Sequence, residues 1–552
     1  MRTRPHALTA LATALLALAA AMALNYAFWW RDGRPQDIPD ARTPRIKSAS
    51  FSPYRAGQSP FGAPFTREQL EQDMAVAARH FSRIRTYSNT AQFAPVPELA
   101  QRHGLKVILG AWVGANLESN EKEIAGLIQA ANAYPDTVER VVVGNEVLLR
   151  REITPELLID YIRRVKAAVK QPVTYADVWE FWLKYPQVAR EVDSITIHVL
   201  PYWENTPTPI DHVVEHMLEA HAEISRAYPG KPILIGEIGW PSAGRVRKGA
   251  VPGRVAQARF VRQIMNTAED RGIDFNLFEL FDEPWKFGQE GTVGGNWGII
   301  DVDRDIKFPL TGPVSENPRW FEWFLGSSAL AALLAGVALW RRPPQGFGRT
   351  ALVCLTAQAL ATLLALSAGQ SLRLAFGAMG VAGGALLTLG GATLCLLVLR
   401  ELADLAAGGP GPRPLPPVIA RLEALRSFRL NLRDPVSLIG LLDLVFGLAA
   451  LALTFGLLVD PRYRDFRTEQ FLPVAVFMLL RALATREAPR PMGSPREEWL
   501  LAGTFLVGAV AIPLMESLTN TAALAWGGTL LLLAAPWALS ILRQRRALMQ
   551  AG

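Results

Sequence analysis

The sequence predicts an α/β protein in two parts: a (β/α)8 TIM barrel, followed by an all-α multi-span transmembrane domain. Residues 44–313 alternate short β-branched segments with amphipathic ones, which is the pattern of repeated β/α units. Eight such units over about 270 residues match the usual size of a closed barrel. Residues 323–542 consist mostly of long apolar runs, as membrane-spanning helices do.

The elements of the barrel can be assigned in order from their composition. Thr154-Pro155-Glu156 combines a capping side chain with a proline in the first turn, and therefore predicts the start of a helix. The predicted strands are residues 46–51, 83–87, 106–111, 140–143, 173–175, 194–199, 233–236 and 274–281. The predicted helices include residues 66–80, 120–133, 154–170, 211–228 and 254–271.

The amino-terminal segment, residues 1–31, predicts a transmembrane signal-anchor. Arg2 and Arg4 precede an apolar run that continues through Trp29 and Trp30. This run is longer than the apolar core of a cleaved signal peptide, so we expect the segment to be retained. Cleavage after Ala21-Met22-Ala23 is the alternative.

Seven further spans are predicted, with a cytoplasmic loop at residues 399–436. By the positive-inside rule, Arg2 and Arg4 place the amino terminus in the cytoplasm and the barrel on the opposite side. Most arginines between the spans then also fall on the cytoplasmic side, with loop 460–470 as the exception. The predicted spans are residues 323–340, 350–369, 374–398, 437–459, 470–485, 499–516 and 521–541.

Composition argues against several classes of function. The net charge is +7, but the excess arginines lie beside apolar spans, and no basic motif with interleaved aromatics indicates nucleic-acid binding. The two cysteines, Cys354 and Cys395, both lie inside apolar spans, so the barrel contains none. Neither a Cys/His cluster nor a glycine-rich phosphate loop is present, so we expect no metal and no cofactor.

Three motifs follow predicted strands four, seven and eight of the barrel. They are Gly144-Asn145-Glu146, Gly236-Glu237-Ile238-Gly239-Trp240-Pro241-Ser242, and Phe281-Asp282-Glu283-Pro284-Trp285-Lys286. In this order they make residues 44–313 resemble glycoside hydrolase family 17, the family of β-1,3-glucanases and β-glucan transglycosylases. The resemblance extends to membrane-bound bacterial members implicated in β-(1,3)/(1,6)-glucan synthesis. It therefore implies a bacterial inner-membrane protein whose catalytic barrel is periplasmic.

The resemblance implies that Glu146 is the general acid/base and Glu237 the nucleophile. Two strand-end carboxylates about 5 Å apart are what a retaining glycosidase requires. We expect the pKa of Glu146 to be raised by burial or by a neighbouring carboxylate, and Glu237 to be surrounded by hydrogen-bond donors. The resemblance also implies that Asn145 binds the 2-hydroxyl of the sugar.

Further residues are predicted to bind the substrate. Aromatic rings stack on the apolar faces of sugars, and the resemblance adds a charged network after strand eight. The sequence departs from the family at Leu200, where many members have an aromatic residue. Besides Asn145, the predicted substrate-binding residues are Tyr87, Tyr202, Trp203, Trp240, Glu283, Lys286 and Glu290.

Three functions are compatible with the sequence. The first is a retaining β-glucan glucanosyltransferase that branches, elongates or cyclises β-1,3-glucan. The second is a membrane-anchored β-1,3-glucan hydrolase, because both reactions use the same two carboxylates. The third is a non-catalytic glucan-binding or export module. The expected partners are β-glucan, the lipid bilayer and a separate glucan synthase.

Overall fold

A computed structural model of the chain describes residues 4–344, 346–427, 429, 431–487 and 495–551. The chain divides into two compact units. One is formed by residues 35–316, and the other combines the residues up to 34 with those after 316.

The first unit is a closed barrel of eight parallel strands in sequence order, which confirms the predicted fold. Ala49 of the first strand pairs with Leu277 of the last and closes the sheet. The strands are β1 (Ile46–Ser50), β2 (Phe81–Arg85), β3 (Lys106–Ala111), β4 (Val138–Asn145), β5 (Val173–Val178), β6 (Ile195–His198), β7 (Ile233–Ile238) and β8 (Asp274–Leu277).

Helices connect the strands and bury their apolar faces against the barrel. The helix after β4 begins as predicted, because the Thr154 side chain accepts a hydrogen bond from the Leu157 amide and Pro155 occupies the first turn. Its buried face includes Leu158, Ile162 and Val165. The helices of this unit are Arg67–His80, Val96–Arg102, Leu117–Ala133, Pro155–Ala168, Trp179–Lys184, Pro186–Glu191, Val213–Ala227, Arg254–Arg271 and Phe287–Gly294.

β8 is shorter than its apolar run predicts, since it ends at Leu277 rather than at residue 281. Beyond this point the chain pairs with other segments. The Leu280 amide donates to the Ser50 carbonyl at 2.9 Å, and the Ile300 amide donates to the Leu280 carbonyl at 2.9 Å. These residues therefore form the rim of the barrel.

Charged side chains cross the barrel interior. Arg83 and Arg85 are two residues apart on β2, so their side chains lie on the same face of the sheet. Arg83 contacts Asp274 of β8 at 2.7 Å, and Arg85 contacts Glu237 of β7 at 3.0 Å. β2 therefore directs two arginines into the barrel, the second at the end where the candidate site lies.

The second unit is helical. Seven of its described helices are long and apolar enough to cross a membrane. The predicted span at residues 470–485 forms a helix, but its 17 residues make it shorter than these seven, so a total of eight spans stays a prediction. The helices are Arg4–Gly33, Trp320–Arg341, Phe347–Arg373, Gly377–Ala406, Val418–Arg426, Pro435–Val459, Thr468–Ala484, Arg496–Glu516 and Thr521–Ala551.

The amino-terminal helix is held in this unit by a buried polar cluster. Asn25 donates to Ser327 at 2.9 Å and to Ser328 at 3.0 Å, and Thr362 donates to Asn25 at 2.9 Å. Hydrogen bonds between apolar helices fix their register. The retention of this helix in the mature protein stays a prediction.

Candidate active site

The backbone at the end of β4 presents Glu146. Gly144 has a φ of 85° and Glu146 a φ of 52°, so both lie in the left-handed region. Glycine adopts this conformation freely, whereas a glutamate does so at a cost and only where its surroundings hold it. The Glu146 amide donates to the Ala176 carbonyl of β5 at 2.7 Å, which holds the turn in place.

Glu237 lies on β7 and is 4% exposed. Its Oε1 accepts hydrogen bonds from Arg85 at 3.0 Å and from the Tyr87 hydroxyl at 2.9 Å. Tyr87 also donates to Ser50 at 3.0 Å, which fixes the ring. The expectation that donors surround this carboxylate is confirmed for these contacts.

The two glutamates approach each other closely. One oxygen of Glu146, one oxygen of Glu237 and one nitrogen of His198 all lie within 4.8 Å of one another. Inverting glycosidases separate their carboxyl groups by about 6.5–9.5 Å to admit a water, whereas retaining enzymes keep them about 5 Å apart. The spacing fits the retaining geometry.

The pKa of Glu146 differs from the expectation. Burial favours the protonated carboxyl, but the hydrogen bond with His198 and the charges of His198, Arg150 and Arg85 outweigh burial. They hold the pKa of Glu146 below its ordinary value. The prediction of a raised pKa is therefore wrong for the free protein, because His198 and Arg85 approach this carboxyl from β6 and β2 and add to the charge of Arg150 in its own loop.

Asn145 directly precedes Glu146 in the chain and is linked to Glu237 through Arg85. Its side-chain oxygen accepts a hydrogen bond from Arg85 at 2.6 Å, and Arg85 also donates to the Gly236 carbonyl at 2.8 Å. Arg85 is 1% exposed, so its guanidinium is a fixed bridge between the ends of β4 and β7.

The charged residues after β8 form the predicted network around Lys286. Lys286 Nζ lies 2.8 Å from Glu279 and 2.5 Å from Glu283. Burial and the charge of Glu283 raise the pKa of Glu279 well above its usual range. Burial also raises the pKa of Glu290, which Lys286 opposes, and the charges of Glu283, Glu237 and Glu146 add to the rise. Glu290 is therefore coupled electrostatically both to this network and to the candidate catalytic pair.

The predicted aromatic residues Tyr202, Trp240 and Trp203 differ in their burial. Tyr202 is fully buried, and its hydroxyl donates to the Arg245 carbonyl at 2.6 Å. Trp240 is 1% exposed, stacks on Phe260 and donates to the Val251 carbonyl at 3.1 Å. Both rings belong to the core, so the structure does not offer them to a sugar as predicted. Trp203 is partly buried, with the Arg247 guanidinium over its ring.

Trp112, directly after β3, has an exposed ring. It is 43% exposed, and the Arg150 guanidinium lies 4.5 Å from the ring centroid. Arg150 also donates to the backbone carbonyls of Asn145 and Val113. The indole is therefore anchored to the loop that carries Glu146.

Residues 48–298 match the BtgE/BtgC glycoside hydrolase domain. This match agrees with the predicted class of enzyme, a glycosidase or transglycosylase. It covers the barrel and none of the apolar helices.

Several known proteins are similar to the barrel part of this chain. A glucan 1,3-beta-glucosidase of Schizosaccharomyces pombe is 29% identical over 256 residues, which cover 43% of this chain and 79% of that protein. A probable glucan endo-1,3-beta-glucosidase of Aspergillus clavatus is 26% identical, over 45% of this chain but only 40% of its own length. A crystal structure of a glycoside hydrolase family 17 β-1,3-glucanosyltransferase from Rhizomucor miehei is 26% identical and covers 48% of this chain and 98% of that chain, with a TM-score of 0.43.

Two residues at this candidate site were not among the predicted site residues. Arg85 contacts Glu237 and Asn145, and His198 contacts Glu146 at 2.7 Å. An arginine two residues after another arginine, within an otherwise buried strand, is the signal that could have identified Arg85. For His198 the sequence was compatible with two interpretations, a residue that contacts sugar or an ordinary strand-end histidine.

Proposed function

We propose that the barrel is a retaining β-glucan glucanosyltransferase that acts on β-1,3-glucan through a covalent glycosyl-enzyme. The approach of one oxygen of Glu146 and one of Glu237 within 4.8 Å carries this proposal, because it fits the spacing of about 5 Å in retaining enzymes better than the spacing of about 6.5–9.5 Å in inverting ones. The names of the similar fungal proteins favour β-1,3-glucan as the substrate.

In the first step, Glu237 attacks the anomeric carbon while Glu146 gives a proton to the leaving glycosidic oxygen. The bond to the leaving sugar breaks and an ester bond to Glu237 forms. Arg85 and Tyr87 hold the attacking carboxylate through two hydrogen bonds. Asn145, held by Arg85, is positioned to bind the sugar 2-hydroxyl.

In the second step, Glu146 takes the proton of an incoming hydroxyl group, whose oxygen displaces Glu237 from the anomeric carbon. If the hydroxyl belongs to another glucan, the product is a longer, branched or cyclic chain. If it belongs to water, the glycosyl-enzyme is hydrolysed and a shorter glucan is released. Hydrolysis of β-1,3-glucan is the second candidate, and the glucosidase names of the fungal relatives favour it.

The helical unit supports transfer over degradation. Seven helices long and apolar enough to cross a membrane would keep the enzyme beside a glucan as it emerges, whereas a degradative enzyme gains nothing from this arrangement. We propose a bacterial inner membrane as its location, as the resemblance to membrane-bound family 17 proteins implies, and the arginine distribution between the spans supports a barrel on the periplasmic side. A separate glucan synthase would supply the substrate chain.

The full-length chain, purified in detergent and incubated with laminaripentaose, tests the proposal. We expect products longer than five units, with new linkages visible by NMR. Products that are only shorter, together with free glucose, would support the hydrolase instead.

Variants distinguish catalysis from binding. Glu146→Gln and Glu237→Gln should abolish product formation while the chain still folds, although Glu237→Gln should lower the melting temperature because it leaves the buried Arg85 without its carboxylate. Glu118→Gln is the matched control, because Glu118 is exposed and pairs with Lys122 on its own helix. Full activity of both site variants would instead favour the non-catalytic glucan-binding module.

A further inference from the structure

His198 lies between the two glutamates at the end of β6, and its side chain is fully buried. Nδ1 is 2.7 Å from Glu146 Oε1, and Nε2 is 3.5 Å from Glu237 Oε1. Nε2 has no hydrogen-bond partner among the described residues. One imidazole thus faces both carboxylates, one with each ring nitrogen.

Gly236 of β7 lies close to the side chains of β6, the strand that carries His198. A Cβ at Gly236 would lie 2.3 Å from a methyl carbon of Thr196 and 3.4 Å from the His198 ring. The glycine before Glu237 therefore allows Thr196 to pack closely against β7, and the His198 ring lies beside this contact at an ordinary packing distance. The arrangement is built into the strands rather than into a mobile loop.

The other described charged groups around His198 have partners of their own and do not contact its ring nitrogens. Arg85 of β2 binds Glu237, and Arg150 lies behind Glu146. Asp177 of β5 is buried close enough for its charge to interact with those of Glu146 and His198, but its carboxyl accepts hydrogen bonds from the Tyr175 hydroxyl and the Val178 amide. Glu146 and Glu237 are therefore the carboxylates nearest to the ring nitrogens of His198.

We propose that His198 holds the proton that Glu146 delivers to the leaving group, and that the charge of Glu237 controls when this proton moves. The proposal rests on the proposed retaining function. It makes His198 a positioning residue for the proton, since it acts through Glu146 rather than on the sugar.

The proposed step moves one proton from His198 to Glu146 and from Glu146 to the leaving oxygen. In the free enzyme Nδ1–H of an imidazolium donates to ionised Glu146, and Nε2–H faces ionised Glu237. When Glu237 bonds to the anomeric carbon, it loses its negative charge. The imidazolium then has one counter-charge fewer, so the Nδ1 proton passes to Glu146, whose carboxyl protonates the departing oxygen. His198 is left neutral beside an ionised Glu146.

The second half of the reaction reverses these transfers. The acceptor hydroxyl gives its proton to Glu146, and its oxygen bonds to the anomeric carbon. Glu237 leaves as a carboxylate, so its negative charge returns beside Nε2. The proton then moves from Glu146 to Nδ1, and the free enzyme is restored without any further reagent.

The proposal explains how Glu146 can serve as an acid although its pKa is held low in the free enzyme. The pair of Glu146 and His198 carries one proton together, and that proton belongs to the pair rather than to either residue. An acid that is ionised before the reaction becomes protonated when the nucleophile is neutralised.

The pH dependence of His198→Asn tests this step in the full-length chain. Without the histidine, Glu146 must itself be protonated, so the alkaline limb of kcat/KM for laminaripentaose should move to lower pH by about one unit or more. The loss should be about tenfold or more at pH 7.5 and within about threefold at pH 5. A purely structural role would lower the rate equally at every pH.

An activated substrate provides a second readout. The first step with a 2,4-dinitrophenyl β-glucoside needs no acid, because the leaving group departs as an anion. Release of dinitrophenolate in that step should therefore change by less than about threefold in His198→Asn. His103→Asn is the matched control, because His103 also contacts a glutamate, Glu71 at 2.8 Å, on the outside of the barrel.

A measurement on the unmodified protein covers the case in which the variant does not fold. The chain has only 7 histidines, so ¹⁵N imidazole signals can be assigned. At pH 7 His198 should carry protons on both nitrogens, and on one nitrogen after Glu237 is trapped by a 2-deoxy-2-fluoroglucosyl inactivator. An unchanged protonation state on trapping would overturn the proposal, as would equal losses of His198→Asn on both substrates at all pH values. Absence of any glucan activity in the unmodified chain would instead overturn the proposed function.

Discussion

Arg85 and Glu237 form a buried ion pair across the barrel, with Nη1 and Oε1 3.0 Å apart and with both side chains almost free of solvent contact. Because Arg85 also binds Asn145, this one guanidinium fixes the two strand ends that supply the candidate acid and nucleophile. Its planar, forked geometry allows two carboxylate or amide oxygens to be bound at once.

We therefore predict that Arg85→Met lowers both activity and stability. Removal of one partner leaves an uncompensated buried carboxylate, which costs about 3 kcal/mol in the free energy of unfolding. We expect kcat to fall about 100-fold or more, because Glu237 and Asn145 lose their common support. Urea unfolding and steady-state kinetics measure the two effects.

Arg85→Lys refines this prediction. Lysine keeps the charge but cannot contact Asn145, Gly236 and Glu237 together, so stability should recover more than activity does. Arg67→Met, which breaks an exposed ion pair with Glu98, is the control and should change neither quantity measurably. Equal recovery of stability and activity in Arg85→Lys would show that charge alone matters.

The sequence predicted the fold and the candidate catalytic pair for local reasons. β-branched runs separated by amphipathic segments are enough to indicate a barrel, and the chemistry of such barrels lies at the strand ends that carry Glu146 and Glu237. The contacts of Arg85 and His198 were not predictable, because they join β2, β4, β6 and β7 across the interior. Local pattern indicates which face a side chain lies on, but not what it meets across the barrel.

The same limit explains the aromatic residues. Trp240 follows a strand that ends at the site, yet its ring turns outward onto Phe260 and belongs to the core. A tryptophan near a strand end has the same sequence signal whether it packs or stacks on a sugar. The burial of Tyr202 was unpredictable for the same reason. Its hydroxyl donates a hydrogen bond to a backbone carbonyl in the core, which the local sequence does not reveal.

Asp177 should make the protein less stable as the pH rises. Burial, which the hydrogen bond from Tyr175 opposes, raises the pKa of Asp177 from 3.8 to about 6. Between these values the folded protein binds a proton that the unfolded chain does not, so stability falls as pH increases through this window. Asp177→Asn should remove the dependence and gain about 2 kcal/mol relative to the unmodified chain between pH 4 and pH 6.

Urea unfolding at several pH values measures this difference. Asp193→Asn is a suitable control, because Asp193 is also at a strand boundary but is partly exposed and pairs with Lys166. Parallel pH profiles for Asp177→Asn and the unmodified chain would contradict the prediction.

Removal of metal ions should leave the activity unchanged. Ligand-type atoms of Glu146, His198 and Glu237 are close enough to bind a cation, but Arg85 and Tyr87 already donate to Glu237, and His198 already contacts Glu146. A cation would have to compete with the positive charge of Arg85. Dialysis against EDTA, followed by assay with and without added Zn²⁺, tests this. A loss of activity that Zn²⁺ restores would contradict it.

Trp112 should contribute a stacking platform for the sugar chain on the Glu146 side of the cleft. One side of the indole is covered by the Arg150 guanidinium, and 43% of the residue stays exposed. Sugar rings bind aromatic faces through apolar C–H groups, and such a contact is worth about 1 kcal/mol, or about fivefold in affinity. Trp112→Ala in a Glu237→Gln background should weaken laminaripentaose binding by this factor or more, whereas Trp112→Phe should retain most of it. Calorimetric titration measures this affinity.

The Glu146 side of the cleft is where the leaving sugar departs and the acceptor sugar enters, because Glu146 protonates the leaving oxygen. Trp112→Ala in the active chain should therefore reduce transfer to a sugar more than hydrolysis. Unaltered affinity and product ratio would assign Trp112 only to the support of Arg150.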